Sequence, residues 1–170
     1  MPTETQQRDS VDRFLEDWNE DVPELDLTVE GIVDRIQQLG KYIRRSADET
    51  FAGFGLNDGE WKLLHALRRT GEPYRRSPGW LAERMRLSSG AMTNRLDRLE
   101  EAGLIRRLPD PEDRRALKVE LTEEGHKIWH ECIAAQAEKE ALVASTLDVA
   151  EKEQLTRLLR RLMLAFERDR

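Results

Sequence analysis

A single cysteine, Cys132, among 170 residues excludes an internal disulfide framework, so the fold must be held by packing. No uninterrupted apolar run approaches the length that crosses a bilayer. The opening residues, MPTETQQRDS, lack the apolar stretch of a secretory signal, and the expected location is cytoplasmic. Internal repeats and low-complexity segments are missing. So are a phosphate-binding loop, a nucleophile elbow and a paired-carboxylate arrangement. The carboxylates are numerous but dispersed along solvent faces. The chain reads as a binding protein, not an enzyme, and calls for no cofactor.

Charge is what the sequence has in abundance: 36% of the residues are charged and 38% hydrophobic, the mark of a globular chain with narrow apolar stripes. The net charge of −6 is unevenly spread. Met1 to Leu67 holds 7 basic and 15 acidic residues, Arg68 to Lys118 holds 13 and 8, and Val119 to Arg170 holds 8 and 11. A basic middle third between acidic ends is compatible with phosphate contact despite the acidic total.

Helical periods dominate. Ser10 can cap a helix carrying Val11, Phe14, Leu15 and Trp18, ended by Pro23, and Thr28 a second carrying Val29, Ile32, Val33, Ile36, Leu39 and Ile43. Asn57 and Glu60 have capping-box spacing for a third helix with Trp61, Leu63, Leu64 and Leu67. Ser77-Pro78 opens a short helix, Leu87 sits in a tight turn, and Ser88 caps a helix from Ser89 to Ala102 that Gly103 stops. The period then changes to strand alternation at Leu117, Val119 and Leu121, preceded by a shorter run from Leu104 to Leu108. The polar segment between them is a long, charged hairpin tip. Thr122 caps a long helix, and Asp148 with Glu151 opens a last one bearing Leu155, Leu158, Leu159, Leu162, Met163 and Phe166.

Two short helices joined by a tight turn and followed by a hairpin predict a mainly α fold with a small β wing: a winged helix-turn-helix. In such a fold the second helix enters the major groove. Met92, Leu96 and Leu99 fall on its buried side. Ser88, Ser89, Gly90, Thr93 and Asn94 give it a small, polar first turn that can approach base edges, and Arg98 can fork onto a guanine or a phosphate. Arg84 and Arg86 are placed for phosphates. The tip residues Asp113, Arg114 and Arg115 suit the neighbouring minor groove, with Asp113 steering an arginine.

The run Leu56-Asn57-Asp58-Gly59-Glu60-Trp61, the segments Trp80 to Met85 and Ser88 to Glu100, then Gly103-Leu104-Ile105, Asp113-Arg114-Arg115 and Leu121 to Gly125 together resemble the MarR family of bacterial transcription regulators. The resemblance implies a homodimer that binds a short inverted repeat of double-stranded operator DNA, usually as a repressor released by a small ligand. It divides the chain into N-terminal extension and dimerisation helices (1–55), a DNA-binding lobe (56–122) and C-terminal dimerisation helices (123–170). Trp18, Pro23, Leu25, Asp26 and Arg35-Ile36 are similar to the branch with an extra first helix that responds to urate-like anionic metabolites. By position, Trp18, Arg95 and Arg107 match that branch's ligand residues, while its acidic position is Lys62 here. Three cations beside a tryptophan suggest a ligand with more than one negative charge. The alternative is that Arg95 and Arg107 pair with carboxylates such as Glu100 or Asp26 and Trp18 belongs to the core.

Other side chains point less far. His126 and His130 are one helical turn apart, but Cys132 lies on a different face, so no metal site is expected. Cys132 sits with Ile128 and Ile133 near an apolar stripe, where thiols are usually inert. His65, between Leu64 and Leu67, reads as a core or interface residue. A redox- or metal-sensing DNA-binding regulator without an organic ligand is the alternative function, and a winged-helix module that binds protein is a further one.

Overall fold

The structure is a computed structural model that describes residues 8–21, 24–111, 113 and 116–168, without the side chains of 17 and 19–21. The wing-tip Arg114 and Arg115, and Pro23, lie outside the described residues. The elements in order are α1 (Ser10–Asp21), α2 (Leu27–Gly53), α3 (Asp58–Arg68), β1 (Arg75–Arg76), α4 (Pro78–Met85), α5 (Ser89–Glu101), β2 (Ile105–Pro109), β3 (Leu117–Leu121), α6 (Glu123–Thr146) and α7 (Val149–Arg168). The chain is mainly α with a small antiparallel wing, as the sequence predicts. Among the described residues no helix is long and apolar enough to cross a membrane. Two compact units divide at residue 49.

In the first unit, Arg35 reaches from α2 to two carboxylates before and within α1: its Nε is 2.9 Å from Asp9 Oδ2 and its Nη2 2.5 Å from Asp12 Oδ1. Gly31 makes room for this, because a Cβ there would sit 2.9 Å from Arg35 Nη1. The caps differ by a residue or two from those read in the sequence. Asp9 Oδ1 accepts from Val11 and Asp12, displacing Ser10, and Asp26 Oδ1 accepts from Thr28 and Val29, displacing Thr28. Asp caps as well as Ser and better than Thr, so with adjacent candidates spacing alone does not choose between neighbours.

In the second unit the core gathers Leu63, Leu64 and Leu67 from α3, Leu81 from α4, Met92, Leu96 and Leu99 from α5, Ile105 from β2 and Val119 from β3, all at most 2% exposed. The sequence predicts a two-stranded hairpin, but the sheet has three strands in the order β1-β3-β2. Arg75 pairs with Glu120 and Arg76 with Val119, while β2 pairs with β3 from Ile105↔Leu121 to Pro109↔Leu117. A two-residue strand of adjacent arginines carries no alternation to detect. Caps predicted at Asn57, Ser77, Ser88 and Thr122 form as read.

Candidate nucleic-acid interface

Helix α5 owes its position to three apolar residues and its start to one serine. Met92, Leu96 and Leu99 are buried, which turns the opposite side outward. The Ser88 hydroxyl accepts from the Ala91 N–H at 3.3 Å and fixes the helix start. Ser88, Ser89, Gly90, Thr93 and Asn94 are all exposed. A Cβ built on Gly90 meets nothing within 4 Å, so this turn presents a bare, open backbone. Helix starts leave backbone N–H groups without intrahelical partners, which suits an anion such as a phosphate. The Thr93 hydroxyl donates to the Ser89 carbonyl at 3.0 Å and keeps its lone pairs for an incoming donor.

Arg98 is exposed but tethered. Its Nε is 2.9 Å from Oε1 of Glu60, which is buried at the start of α3. The other Glu60 oxygen accepts from the Asn57 N–H at 2.9 Å, while the Asn57 side chain accepts from the Glu60 N–H, completing the capping box. Glu60 therefore joins the helix cap to α5, a role that sequence spacing does not reveal because its partner lies far along the chain. In the wing, the Asp113 carbonyl accepts from the Ala116 N–H, and Ala116 in turn accepts from Asp110 N–H, each at 2.9 Å. Asp113 itself is exposed.

The wing is braced from beneath. Glu120 of β3 takes Arg75 at 2.9 Å and Arg106 at 2.8 Å. Burial disfavours the Glu120 charge, but the two guanidinium groups outweigh it and hold the carboxyl below its ordinary 4.5. The folded protein thus binds this proton more weakly than the unfolded chain does. The stability Glu120 contributes is fully present above pH 4.5 and is lost as pH falls through its lower folded value. Glu120→Gln should therefore melt below wild type at neutral pH, with the gap closing in acid. Melting curves across the acid range check this, and a gap independent of pH would contradict it.

Beside α5 lies a cleft of about 1120 Å³ walled by α3 and α4. Lys62, Arg69, Arg76, Arg84, Arg86 and Arg95 line it against two carboxylates, Asp58 and Glu83, with Trp61 and Trp80 among its walls. Arg95 lies flat against Gly59, where any Cβ would overlap its guanidinium. Among the described residues Arg95 makes no ion pair, whereas Lys62 holds Asp58 at 2.6 Å. The Arg76 guanidinium sits 5.5 Å above the Trp80 ring. Arg84 and Arg86, read from the sequence as phosphate contacts, thus share a cleft with Lys62 and Arg95, read as ligand contacts. Arg107 is elsewhere, bound to Asp97 and Glu100. Trp18 is on α1 in the first unit, its ring 5.4 Å from that of Phe14. Arg69, Arg76 and Trp80 went unnoticed in the sequence as cleft residues, since α3, β1 and α4 meet there only in three dimensions.

Behind the cleft, Trp61 stacks on Phe51 at 5.0 Å and faces Trp129 at 6.3 Å. The Trp129 Nε1–H donates to His65 Nδ1 at 3.3 Å. Burial and the charge of Arg69 push the His65 pKa down, which keeps that nitrogen free to accept. Burial pushes the Cys132 thiol up to about 11, so it is a poor nucleophile at neutral pH. Among the described residues no group of three His, Cys, Asp or Glu side chains could hold a metal ion.

The MarR family model matches residues 54–116. The chain is 32% identical over 151 residues to the HTH-type transcriptional regulator PecS of Dickeya dadantii, covering 89% of this chain and 91% of that protein. In structure it resembles the YusO protein of Bacillus subtilis, at 27% identity and a TM-score of 0.74, over 84% of this chain and 99% of that one. It also resembles a mutant MarR of E. coli complexed with operator DNA, at 26% identity and a TM-score of 0.57, over 85% and 96% of the two chains.

Proposed function

Because the chain belongs to the MarR family of winged-helix transcription regulators, we propose that it binds an inverted-repeat operator as a homodimer, acts as a repressor, and is released by an anionic metabolite. The relatives it matches are transcription regulators, not enzymes. The observation that carries the DNA reading is the exposed first turn of α5, capped by Ser88 and held beside the wing by a common core. Ser89, Gly90, Thr93 and Asn94 are the base-reading set, Arg84, Arg86 and the wing-tip Arg114 and Arg115 the phosphate and minor-groove set, and Asp113 steers the tip. Arg98, tethered by Glu60, reaches DNA only with its outer nitrogens.

Two amphipathic faces support the dimer. Val29, Ile32, Val33, Ile36, Leu39 and Ile43 of α2 are exposed, and α7 buries none of its residues. Apolar stripes of this length on separate helices call for a covering partner, and a second copy offers the same stripes in return. Residues 1–55 and 123–170 supply the dimer faces in this reading, and residues 56–122 supply the DNA-binding lobe.

The cationic cleft supports an effector of the urate-like, anionic class. Six basic residues against two acids favour more than one negative charge, and the two tryptophans favour a flat molecule. Lys62 and Arg95, which makes no ion pair among the described residues, are its direct contacts. A ligand here would draw Arg95 off Gly59 and shift α5 against α3, lowering operator affinity through preferential binding to the shifted state. Thermal-shift titration with citrate and with a nucleoside diphosphate tests the site. Ligand at 100 times its Kd should add about 2.7 kcal/mol of stability to wild type and much less to Arg95→Ala. Equal shifts in both proteins would remove Arg95 from the site.

A mobility-shift assay against a random duplex pool tests the DNA reading itself. Asn94→Ala should lose about 1–3 kcal/mol and relax preference at one base pair. Arg84→Ala should weaken all sequences alike and lower the salt slope by about one unit. Retained selectivity in the Asn94 variant would move base reading off this turn.

A further inference from the structure

Three side chains join α5 to the wing: Asp97 and Glu100 of the helix and Arg107 of the strand. Arg107, on β2, places Nη2 2.6 Å from Asp97 Oδ1 and Nη1 2.5 Å from Glu100 Oε2. The same Glu100 accepts the Arg107 backbone N–H on its other oxygen at 2.9 Å. In the order β1-β3-β2, β2 is an edge strand, so Glu100 satisfies a backbone donor that the sheet leaves open. The Arg107 side chain is only 22% exposed, and it shares a strand face with Ile105, which is 2% exposed. Burial disfavours its charge, yet the two carboxylates outweigh this and raise its pKa.

A forked guanidinium that engages two carboxylates one turn apart on a helix is a geometric constraint as well as an attraction. It fixes the strand along the axis of α5 and about it. Binding DNA with a helix in one groove and a hairpin tip in the next is a two-point engagement, and its strength depends on how well the two points are held to the spacing of the duplex. Resting on the DNA-binding reading above, we propose that Asp97, Glu100 and Arg107 form a clamp that sets the angle between recognition helix and wing, making Arg107 a positioning residue for DNA binding instead of an effector contact. Arg107 does not line the cleft where Arg95 and Lys62 lie, and its donors face carboxylates of its own chain.

The test compares Arg107→Ala, the double variant Asp97→Ala/Glu100→Ala, the combined triple variant and the conservative Arg107→Lys. Alanine raises helix propensity at both carboxylate positions, so helix loss does not confound the result. The probe is a duplex selected by wild type from a random pool. Arg107→Ala and the double variant should each bind it about tenfold more weakly, and the triple variant no more weakly than either, since both remove one interaction. Hydroxyl-radical footprints should lose protection at the flanking wing contact and keep the central pattern. Arg107→Lys, which keeps charge but not the fork, should fall between. Wild-type affinity with an intact flanking footprint in Arg107→Ala would overturn the clamp, as would additive losses. Amide exchange on the free proteins gives an independent reading: the Arg107 N–H should lose protection in the double variant. If wild type selects no duplex, the DNA reading fails, and unchanged exchange there would sink the clamp on its own.

Discussion

Gly125→Ala should destabilise the protein by about 3 kcal/mol or more and lower its melting temperature by roughly 10 °C. Gly125 is buried in the first turn of α6. A Cβ there would overlap the carbonyl oxygen of Leu104 and approach Leu121 Cδ2 to 3.2 Å. The clash is with backbone, and that carbonyl is already committed, accepting from the Thr122 N–H at 3.2 Å. Thr122 cannot yield easily either, because its hydroxyl donates to the Gly103 carbonyl at 2.7 Å and accepts from the Gly125 N–H at 3.0 Å. The strain would spread into β2 and β3 and so into the wing. Gly79→Ala is the control. It lies in the first turn of α4, away from the apolar dimer stripes, and its Cβ would meet nothing within 4 Å, so the same substitution should stabilise by about 0.5–1 kcal/mol through helix propensity. Thermal melts of the two variants settle the comparison. Equal effects would mean that α6 packs loosely enough on Leu104 to admit a methyl group.

The second large effect is expected on α7. Leu155, Leu158, Leu159, Leu162 and Phe166 recur at helical spacing, and Leu158 and Phe166 are 44% and 72% exposed. Each leucine covered by a partner contributes about 1.5–3 kcal/mol. The double variant Leu158→Asp/Leu162→Asp should halve the mass measured by light scattering and leave a folded monomer, since α7 supplies no core residue. Operator affinity should fall at least ~100-fold, because each lobe would then bind its half-site without the concentration effect of its linked partner. A double variant that stays dimeric would place the interface elsewhere. One that becomes monomeric yet binds the duplex as before would dissociate dimerisation from DNA binding.

What the sequence revealed and what it hid divide along physical lines. Local signals were legible: Ser77, Ser88 and Thr122 cap as spacing predicts, Gly103 has φ of +71°, and the apolar periods place Met92, Leu96 and Leu99 inside. These depend on neighbours within one or two turns. Ion pairs between distant segments were not legible. Nothing in the spacing of Glu60 and Arg98 marks them as partners, and β1 is two arginines long. Arg107 illustrates both sides. Its place on the face of Ile105 follows from alternation, while its commitment to Asp97 and Glu100 depends on how β2 lies across α5. The cleft was half visible: Lys62 and Arg95 could be named, but Arg69, Arg76 and Trp80 are assembled by tertiary packing.

Nucleotide-resolution footprinting of a selected duplex, with wild type and Asn94→Ala in parallel, tests most directly whether the Ser89 turn and the wing form one DNA-reading face. Two protected major-groove patches are expected, with centres about one helical turn, ~34–36 Å, apart, each flanked by minor-groove protection, with contacts at one base pair per patch weakened in the variant. A dimeric, folded wild type that leaves the duplex unprotected, or an Asn94→Ala footprint and affinity identical to wild type, would contradict it.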